Sequence, residues 1–227
     1  IEIVVLVRSK KRFLERMGNS HNLIGITISE YEITKDNKLL DSFQNIDCFI
    51  DIAWENVRNV NSKTHSEFNF PAHLNLIKKL SRNIKNIFVL GSCYEYGLCK
   101  GAINESYPLN PITNYGRAKK NLYHSLLELS YLNNFNLIWG RLFYIYGKDQ
   151  NISTFYGELI NAIANNKNQF NMSSGKQKLD YLRIDKAAEF IAELACKNKN
   201  LGAVNICSGN PISLIDFAKN IVKFHSS

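Results

Sequence analysis

Short apolar runs recur along the chain, separated by segments whose apolar positions fall three and four residues apart. Residues 1–7 (IEIVVLV), 23–28 (LIGITI), 47–52 (DCFIDI), 87–90 (IFVL) and 136–142 (NLIWGRL) are apolar and β-rich. That is the pattern of strands buried on both faces. Residues 64–82 place Phe68, Ala72, Leu76 and Leu80 at helical spacing, and residues 115–132 do the same with Leu122, Leu126, Leu127 and Leu129. Further helices are predicted over 155–165, 185–197 and 213–224, with short segments around Tyr181 and Val204. Strands alternating with helices predict an α/β fold with a parallel sheet covered on both faces. In such sheets ligands sit beyond the carboxyl ends of the strands. Gly91-Ser92 and Phe143-Tyr144 lie at such ends, and residues 92–114, rich in Gly, Pro, Asn and Ser, form a long loop between them. A loop of that length in a compact domain is usually functional. No repeat, low-complexity tract or linker interrupts the pattern.

Composition narrows the classes. A chain of 227 residues that is 45% apolar has material for one α/β domain, or one domain plus a small lobe, and is not disordered. No apolar run is long enough to span a bilayer, and no signal peptide is visible. The net charge of +8 is scattered, apart from a cluster at Arg8, Lys10, Lys11 and Arg12. A nucleic-acid binder concentrates its charge in a stripe; an anionic small molecule suits a moderate positive balance better. The five cysteines, Cys48, Cys93, Cys99, Cys196 and Cys207, include no CxxC pair. They are expected to be reduced thiols of a cytoplasmic protein, not a disulfide frame or zinc site. The histidines form no close ligand pair, so no metal is expected. The sequons at Asn104 and Asn151 then carry no meaning. The chain opens at Ile1, within a strand pattern and without an initiator Met, which processing or truncation would explain.

The candidate chemistry centres on Tyr115 and Lys119, a YxxxK pair (Tyr-Gly-Arg-Ala-Lys). Positions i and i+4 share one helix face. An ammonium beside a phenol favours the phenolate and is expected to lower the Tyr pKa from about 10. Such a Tyr can exchange a proton with a sugar oxygen. Ser92, at a strand end, offers a hydroxyl to the same oxygen as charge develops there. YxxxK alone also occurs on ordinary helix surfaces. What singles it out is a strand ending at Ser92, a long loop, and a helix opening at Tyr115.

At these residues the chain resembles the extended short-chain dehydrogenases/reductases, of the NAD-dependent epimerase/dehydratase type. IFVLGSCYEYG (87–97) resembles their active-site strand, and NPITNYGRAK (110–119) their Pro-x-x-x-Tyr-x-x-x-Lys helix. GRLFYIYG (140–147) resembles their Arg-x-Phe-x-x-Tyr-Gly turn, DYLRID (180–185) their Arg-Asp-Tyr-Ile-His-Val-Asp segment, NICSGNPIS (205–213) the strand and turn that follow, and DCFIDIAW (47–54) the strand whose Ala lies by the cofactor. The resemblance implies a Rossmann-like doubly wound parallel sheet, with residues 1–150 as the NAD(P)-binding domain. Residues 151–227 would contribute to a small, partial substrate lobe and return to the main domain. It implies Ser92, Tyr115 and Lys119 as catalytic residues. Arg8, Ala53, Trp54, Gly91, Tyr115, Lys119 and Phe143 would line the cofactor, and Cys93, Tyr94 and Tyr144 the substrate. Two family features are missing. No Gly-x-x-Gly-x-x-Gly turn is present to hold a pyrophosphate, so residues 1–7 correspond to the family's second strand and the opening strand-turn-helix is lacking. The C-terminal part is also short. Leu179 stands where the family has Arg before Asp180. Arg8 takes the place of the Asp that grips the ribose diol of NAD; it is either part of a solvated basic loop or a partner for the extra phosphate of NADP, which slightly favours NADP(H). Asp180 and Asp185 are expected as turn and helix-cap residues.

The same resemblance separates the reactions. Family members that dehydrate a sugar at C4 and C6 carry Thr-Asp-Glu where this chain has Ser92-Cys93-Tyr94, so dehydration is disfavoured. Those that epimerise twice and reduce have a Cys two residues after the Ser; here that position is Tyr94. What remains is hydride transfer at C4 of a nucleotide-diphosphate sugar, by an NDP-4-keto-6-deoxyhexose reductase or, as the alternative, a 4-epimerase. The string 92–97 and residues 170–173 (FNMS) resemble deoxysugar reductases. A non-catalytic dinucleotide-binding or interaction protein on the same fold is the alternative of another class, and a homodimer is the candidate assembly.

Overall fold

The computed structural model describes residues 2–17, 26–33, 40 and 45–225. At its centre are four parallel strands in the order β3 (Phe49–Asp51), β4 (Asn86–Ser92), β5 (Asn136–Leu142) and β9 (Gly202–Ile206). The strands β4 and β5 are buried along nearly their whole length, as expected of a sheet covered on both faces. Side chains alternate between the two layers. Ile87, Val89, Leu137 and Trp139 pack with α2 (Phe70–Leu80) and α3 (Asn114–Asn133) through Leu76, Ile77, Leu80, Leu122 and Leu126. Phe88, Ile138 and Ile206 face the other way, against Ala187 and Ala195 of α5 (Ile184–Ala195). The period-two alternation thus feeds two separate cores.

The β1 strand (Ile3–Val7) pairs in parallel with β2 (Ile26–Glu30), from Ile3 opposite Ile26 to Val7 opposite Glu30. Residues 10–17 form α1 (Lys10–Met17) between them. Among the described residues no ladder joins β1 to β3; the two layers meet where Leu6 packs on the main core and Arg8 pairs with Glu55. The expected second strand is described from Ile26 onward; residues 23–25 lie outside the described residues, as does Ile1.

A third core closes the C-terminal part. Leu159 of α4 (Phe155–Ala164) packs with Leu214, Phe217, Ala218 and Ile221 of α6 (Leu214–His225). Phe217 stacks on Tyr181 at 4.0 Å. The short strands β6 (Tyr144–Tyr146) and β8 (Tyr181–Arg183) pair in parallel, and β7 (Lys178–Leu179) pairs antiparallel with β10 (Ile212–Ser213).

Several local features depart from the sequence pattern. The helix expected over 64–82 opens as a π-helical turn, His65–Asn69, before α2. Pro71 marks where the regular helix starts, since its missing N–H costs nothing in a first turn. The loop after β4 is pinned by a bridge between Gly97 and Asn110. Gly97 has φ 75°, and a Cβ there would sit 1.9 Å from the Asn110 oxygen. Asp185 is not a helix cap: Arg183 occupies that position in α5, and Asp185, in the first turn, takes two hydrogen bonds from the Arg183 guanidinium at 3.1 and 2.7 Å. Asp180 is not in a turn either: it links β7 to β8 and accepts the Ser208 N–H at 2.6 Å.

On β5, Gly140 is closely packed against side chains of its two neighbouring strands. A Cβ there would meet Phe88 Cζ at 2.6 Å and Ile206 Cδ1 at 2.7 Å. Gly140→Ala is expected to destabilise the protein by about 1–3 kcal/mol, the usual cost of overpacking. Urea denaturation checks this; an unchanged midpoint would mean that the β4–β5–β9 layer spreads freely.

Candidate active site

The site is built around the end of β4. Ser92 caps a short 3-10 turn, Cys93–Glu95, its Oγ accepting the Tyr94 N–H at 3.3 Å. Glu95 returns the bond, taking the Ser92 N–H on Oε1 at 2.8 Å. Glu95 is fully buried and is also held by Trp139 Nε1 at 2.9 Å and Arg141 Nε at 2.9 Å. Arg141 extends the network to Tyr96 Oη at 2.9 Å and the Glu105 carbonyl at 3.1 Å. Burial pushes the Glu95 carboxyl up, against the pull of Arg141. Gly91, just before, is buried against the Trp139 indole and Glu95.

The α3 helix is set by Thr113, whose Oγ1 accepts the Gly116 N–H at 3.0 Å. A Cβ at Gly116 would lie 2.3 Å from the Tyr94 carbonyl oxygen. Only glycine lets the first turn of α3 press onto the Ser92 turn, and Tyr115 is thereby brought to Ser92. The Tyr115 N–H bonds to the Val60 carbonyl at 2.8 Å. Its ring meets those of Tyr94, Trp54 and His65 at 5.7, 6.2 and 5.3 Å.

Lys119, one turn further on, is 3% exposed. Its ammonium donates to the Leu90 carbonyl at 2.7 Å and lies 3.7 Å from the Trp54 ring centroid. Burial holds its pKa down, to about 8, against the opposing pull of Asp51 and Glu95.

The expectation of a depressed Tyr115 pKa is not met. Burial drives it up to about 12, opposed by a hydrogen bond with Ser92 and reinforced by Glu95, Cys93 and Tyr94. The Lys119 ammonium is engaged by Leu90 and Trp54, so Tyr115 is a phenol at neutral pH.

The other expected residues fall into two groups. Cys93, Tyr94 and Tyr144 gather beside Tyr115: Cys93 is pushed up to about 12 by burial, which keeps it a thiol, and Tyr144 is raised by burial and by Cys93 and Tyr94. Tyr144 is partly exposed and packs on Tyr181 at 6.3 Å. Ala53 is exposed directly after β3, and Trp54 is half-buried beside it. Farther off, Phe143 packs on Tyr96 at 6.3 Å, and Arg8 is exposed and paired with Glu55. The residues beneath Lys119 were not foreseen: Asp51, His65, Asn69 and His73 are all buried. The signals were an acid inside the apolar run FIDI and a His on the apolar face of a helix.

The hydroxyl of Ser92 and the phenol of Tyr115 form a donor pair that suits a ribose hydroxyl or a carbonyl oxygen, with the Lys119 ammonium buried behind them, and exposed Ile52 and Ala53 leave the end of β3 open beside them. The residues present therefore fit a nicotinamide ribose. The profile of the NAD dependent epimerase/dehydratase family matches residues 1–207. The chain belongs to this family. Its members are enzymes, and the sheet, crossover helices and strand-end site agree with the membership. The chain is 29% identical over 191 residues to a dTDP-6-deoxy-L-talose 4-dehydrogenase (NAD(+)) of Aggregatibacter actinomycetemcomitans, covering 83% of this chain and 70% of that protein. In fold it is similar to a UDP-N-acetylglucosamine 4-epimerase of Methanobrevibacter ruminantium, with a TM-score of 0.85 at 20% identity over 100% of this chain and 75% of that one. A dTDP-glucose 4,6-dehydratase of Bacillus anthracis, in complex with NAD, gives a TM-score of 0.79 at 16% identity, over 100% of this chain and 73% of that one. Among the described residues no helix is long and apolar enough to cross a membrane.

The depressed Lys119 pKa has a measurable consequence. Between about pH 8 and about 10.4, the usual Lys value, the unfolded chain keeps a proton that the folded chain has lost. By itself this group makes stability rise with pH across that window, while the raised Cys93 thiol works the other way from about pH 9 and the raised Tyr115 from about pH 10. Below pH 8 the buried ammonium is a constant cost. Lys119→Met is expected to stabilise the protein at pH 7 by about 1–3 kcal/mol and to flatten the rise. Urea midpoints across pH test this; a destabilised Lys119→Met would mean that the ammonium is a net structural asset.

Proposed function

We propose that the protein is an NAD(P)-dependent oxidoreductase acting at C4 of a nucleotide-activated sugar, and that it reduces an NDP-4-keto-6-deoxyhexose. The observation that carries the reading is Tyr115, a protonated phenol beside Ser92 and one helical turn from the buried Lys119. Bound nicotinamide supplies the hydride. The Ser92 hydroxyl hydrogen-bonds the C4 carbonyl oxygen, where negative charge gathers as the hydride arrives. Tyr115 gives its proton to that oxygen, and the Lys119 ammonium stabilises the phenolate left behind. A ketone, a hydride and a proton become a secondary alcohol. Cys93, Tyr94 and Tyr144 line the sugar; Ala53, Trp54, Gly91, Phe143 and Arg8 line the cofactor.

Dehydration needs acids next to Ser92, and Cys93, whose thiol is pushed up to about 12, and Tyr94 supply none at neutral pH. The relative named as a dTDP-6-deoxy-L-talose 4-dehydrogenase supports a deoxysugar, since reduction of a 4-keto sugar is the reverse of 4-dehydrogenation. The 4-epimerases of similar fold keep the second reading, 4-epimerisation, in view. In this proposal residues 1–150 bind the cofactor, residues 151–227 contribute to the sugar lobe, and the protein works as a cytoplasmic homodimer.

Tyr115→Phe is expected to lower turnover at least about a hundredfold, the usual weight of general acid catalysis. Absorbance of the reduced nicotinamide with an NDP-4-keto-6-deoxyhexose reads it: the reductase consumes reduced cofactor stoichiometrically, whereas an epimerase shows no net change. Near wild-type turnover in the variant refutes the role of Tyr115.

The proposed preference for NADP(H) turns on Arg8, whose guanidinium is engaged by Glu55. A 2′-phosphate would have to draw it away. Glu55→Gln is expected to raise the ratio of NADPH to NADH affinity several-fold, and Arg8→Ala to lower it. Unchanged ratios in calorimetric titrations would remove Arg8 from cofactor selection.

A further inference from the structure

Beneath the site lies a buried pair that the proposed reaction does not use. Asp51, the last residue of β3, and His73, on the sheet-facing side of α2, are joined by Oδ2 and Nδ1 at 2.6 Å, and each side chain is 4% exposed. Burying such a pair carries a desolvation cost. What the pair touches is Trp54: the His73 ring stacks on the indole, with centroids 4.9 Å apart and planes 22° from parallel. The same indole carries the Lys119 ammonium, 3.7 Å from its centroid. Its other anchor is His65, whose Nδ1 accepts the Trp54 N–H at 3.1 Å while its Nε2 bonds to the Asn59 carbonyl at 2.9 Å. That double use makes His65 the neutral tautomer with hydrogen on Nε2.

We propose that Asp51 and His73 are positioning residues for Lys119: the pair fixes the indole that seats the ammonium, and Asp51 supplies the buried negative charge that keeps it protonated. The charged and titratable groups around Lys119 come from every packed element. Asp51 comes from β3, His65 from the π-helical turn, His73 from α2, Glu95 from the turn after β4, and Tyr115 from α3. The charge of Glu95 is already met by Arg141 of β5. Asp51 is hydrogen-bonded instead to the His73 imidazole. In agreement, Asp51 is the strongest of the groups that oppose the fall in the Lys119 pKa. Cation–π attraction to a desolvated indole adds to it.

The inference rests on Lys119 as a member of the reacting group, but its test needs no turnover. The Lys119 protonation midpoint is read by NMR of 13Cε-labelled lysine, the signal being assigned by its loss in Lys119→Arg. The wild-type midpoint is expected at about 8. Asp51→Asn is expected to lower it by roughly one pH unit, the effect of losing one nearby opposite charge. Trp54→Leu, which removes the ring face but no charge, is expected to lower it as well. His73→Asn and His73→Ala both remove the ring that stacks on the indole, and each is expected to shift the midpoint too. An unmoved midpoint in both Asp51→Asn and Trp54→Leu overturns the proposal; if Asp51→Asn fails to fold, Trp54→Leu decides alone. A shifted midpoint together with an active Tyr115→Phe would leave this inference standing while removing the proposed reaction.

Discussion

The carboxylate of Glu95 gathers the ends of two strands and a turn around one buried charge. It takes the N–H of Ser92, the indole N–H of Trp139 and the guanidinium of Arg141, all out of contact with water. Leaving any of these donors unpaired in that setting would cost roughly 1–3 kcal/mol or more. The ion pair with Arg141 is therefore self-consistent or absent: either all partners are in place or the end of β4 has no reason to hold its shape. Because Glu95 also closes the capping box of Ser92, the hydroxyl at the strand end inherits its position from the core of the sheet.

The same logic extends to Lys119 on α3. The protein places an ammonium where water cannot reach it and compensates with a carbonyl, an aromatic face and carboxylates at longer range. Such an arrangement is poor for stability and useful for chemistry. A charge that is scarcely solvated responds strongly to any new charge formed beside it, and in the proposed reaction Tyr115 is the neighbour at which one would form. The aromatic rings of Trp54, Tyr94 and His65 around Tyr115 keep the surroundings of low polarity, which is why the phenol holds its proton.

Much of this was legible in the chain. The strand β5 occupies 136–142 and is buried as expected, whereas the equally apolar β1 has no buried residue and leaves Ile3 and Val4 exposed. The helices from α3 onward begin and end within two residues of the pattern that predicts them. Ser92, Tyr115 and Lys119 were legible because spacing on a helix and the end of a strand are local properties. The direction of the Tyr115 shift was not, because it depends on which acceptor the lysine finds, and Leu90 lies 29 positions away in sequence. Asp51 and His73 were equally hidden: each looks like an ill-placed polar residue until the fold sets β3 under α2. Pro71 displaced the start of a helix whose apolar spacing runs on through it. Gly116 escaped notice since its importance is a clearance to the Tyr94 backbone, and nothing in a single helix reveals that.

The separation of the β1–β2 pair from the main sheet has a bearing on cooperativity. Backbone hydrogen bonds hold each layer together internally, but among the described residues none of the strand ladders crosses between them. Unfolding free energy is then unevenly distributed: the layer with two strands meets the main core through side chains, among them Leu6, Tyr31, Ile33 and the Arg8–Glu55 pair, and not through a ladder, which places it lower in the range over which proteins open locally. The candidate site does not share that softness, being embedded in the strands with the deepest burial. A dinucleotide that touched both Arg8 and the end of β3 would act as a strut between a soft unit and a stiff one. Its affinity would then include the work of ordering the soft unit.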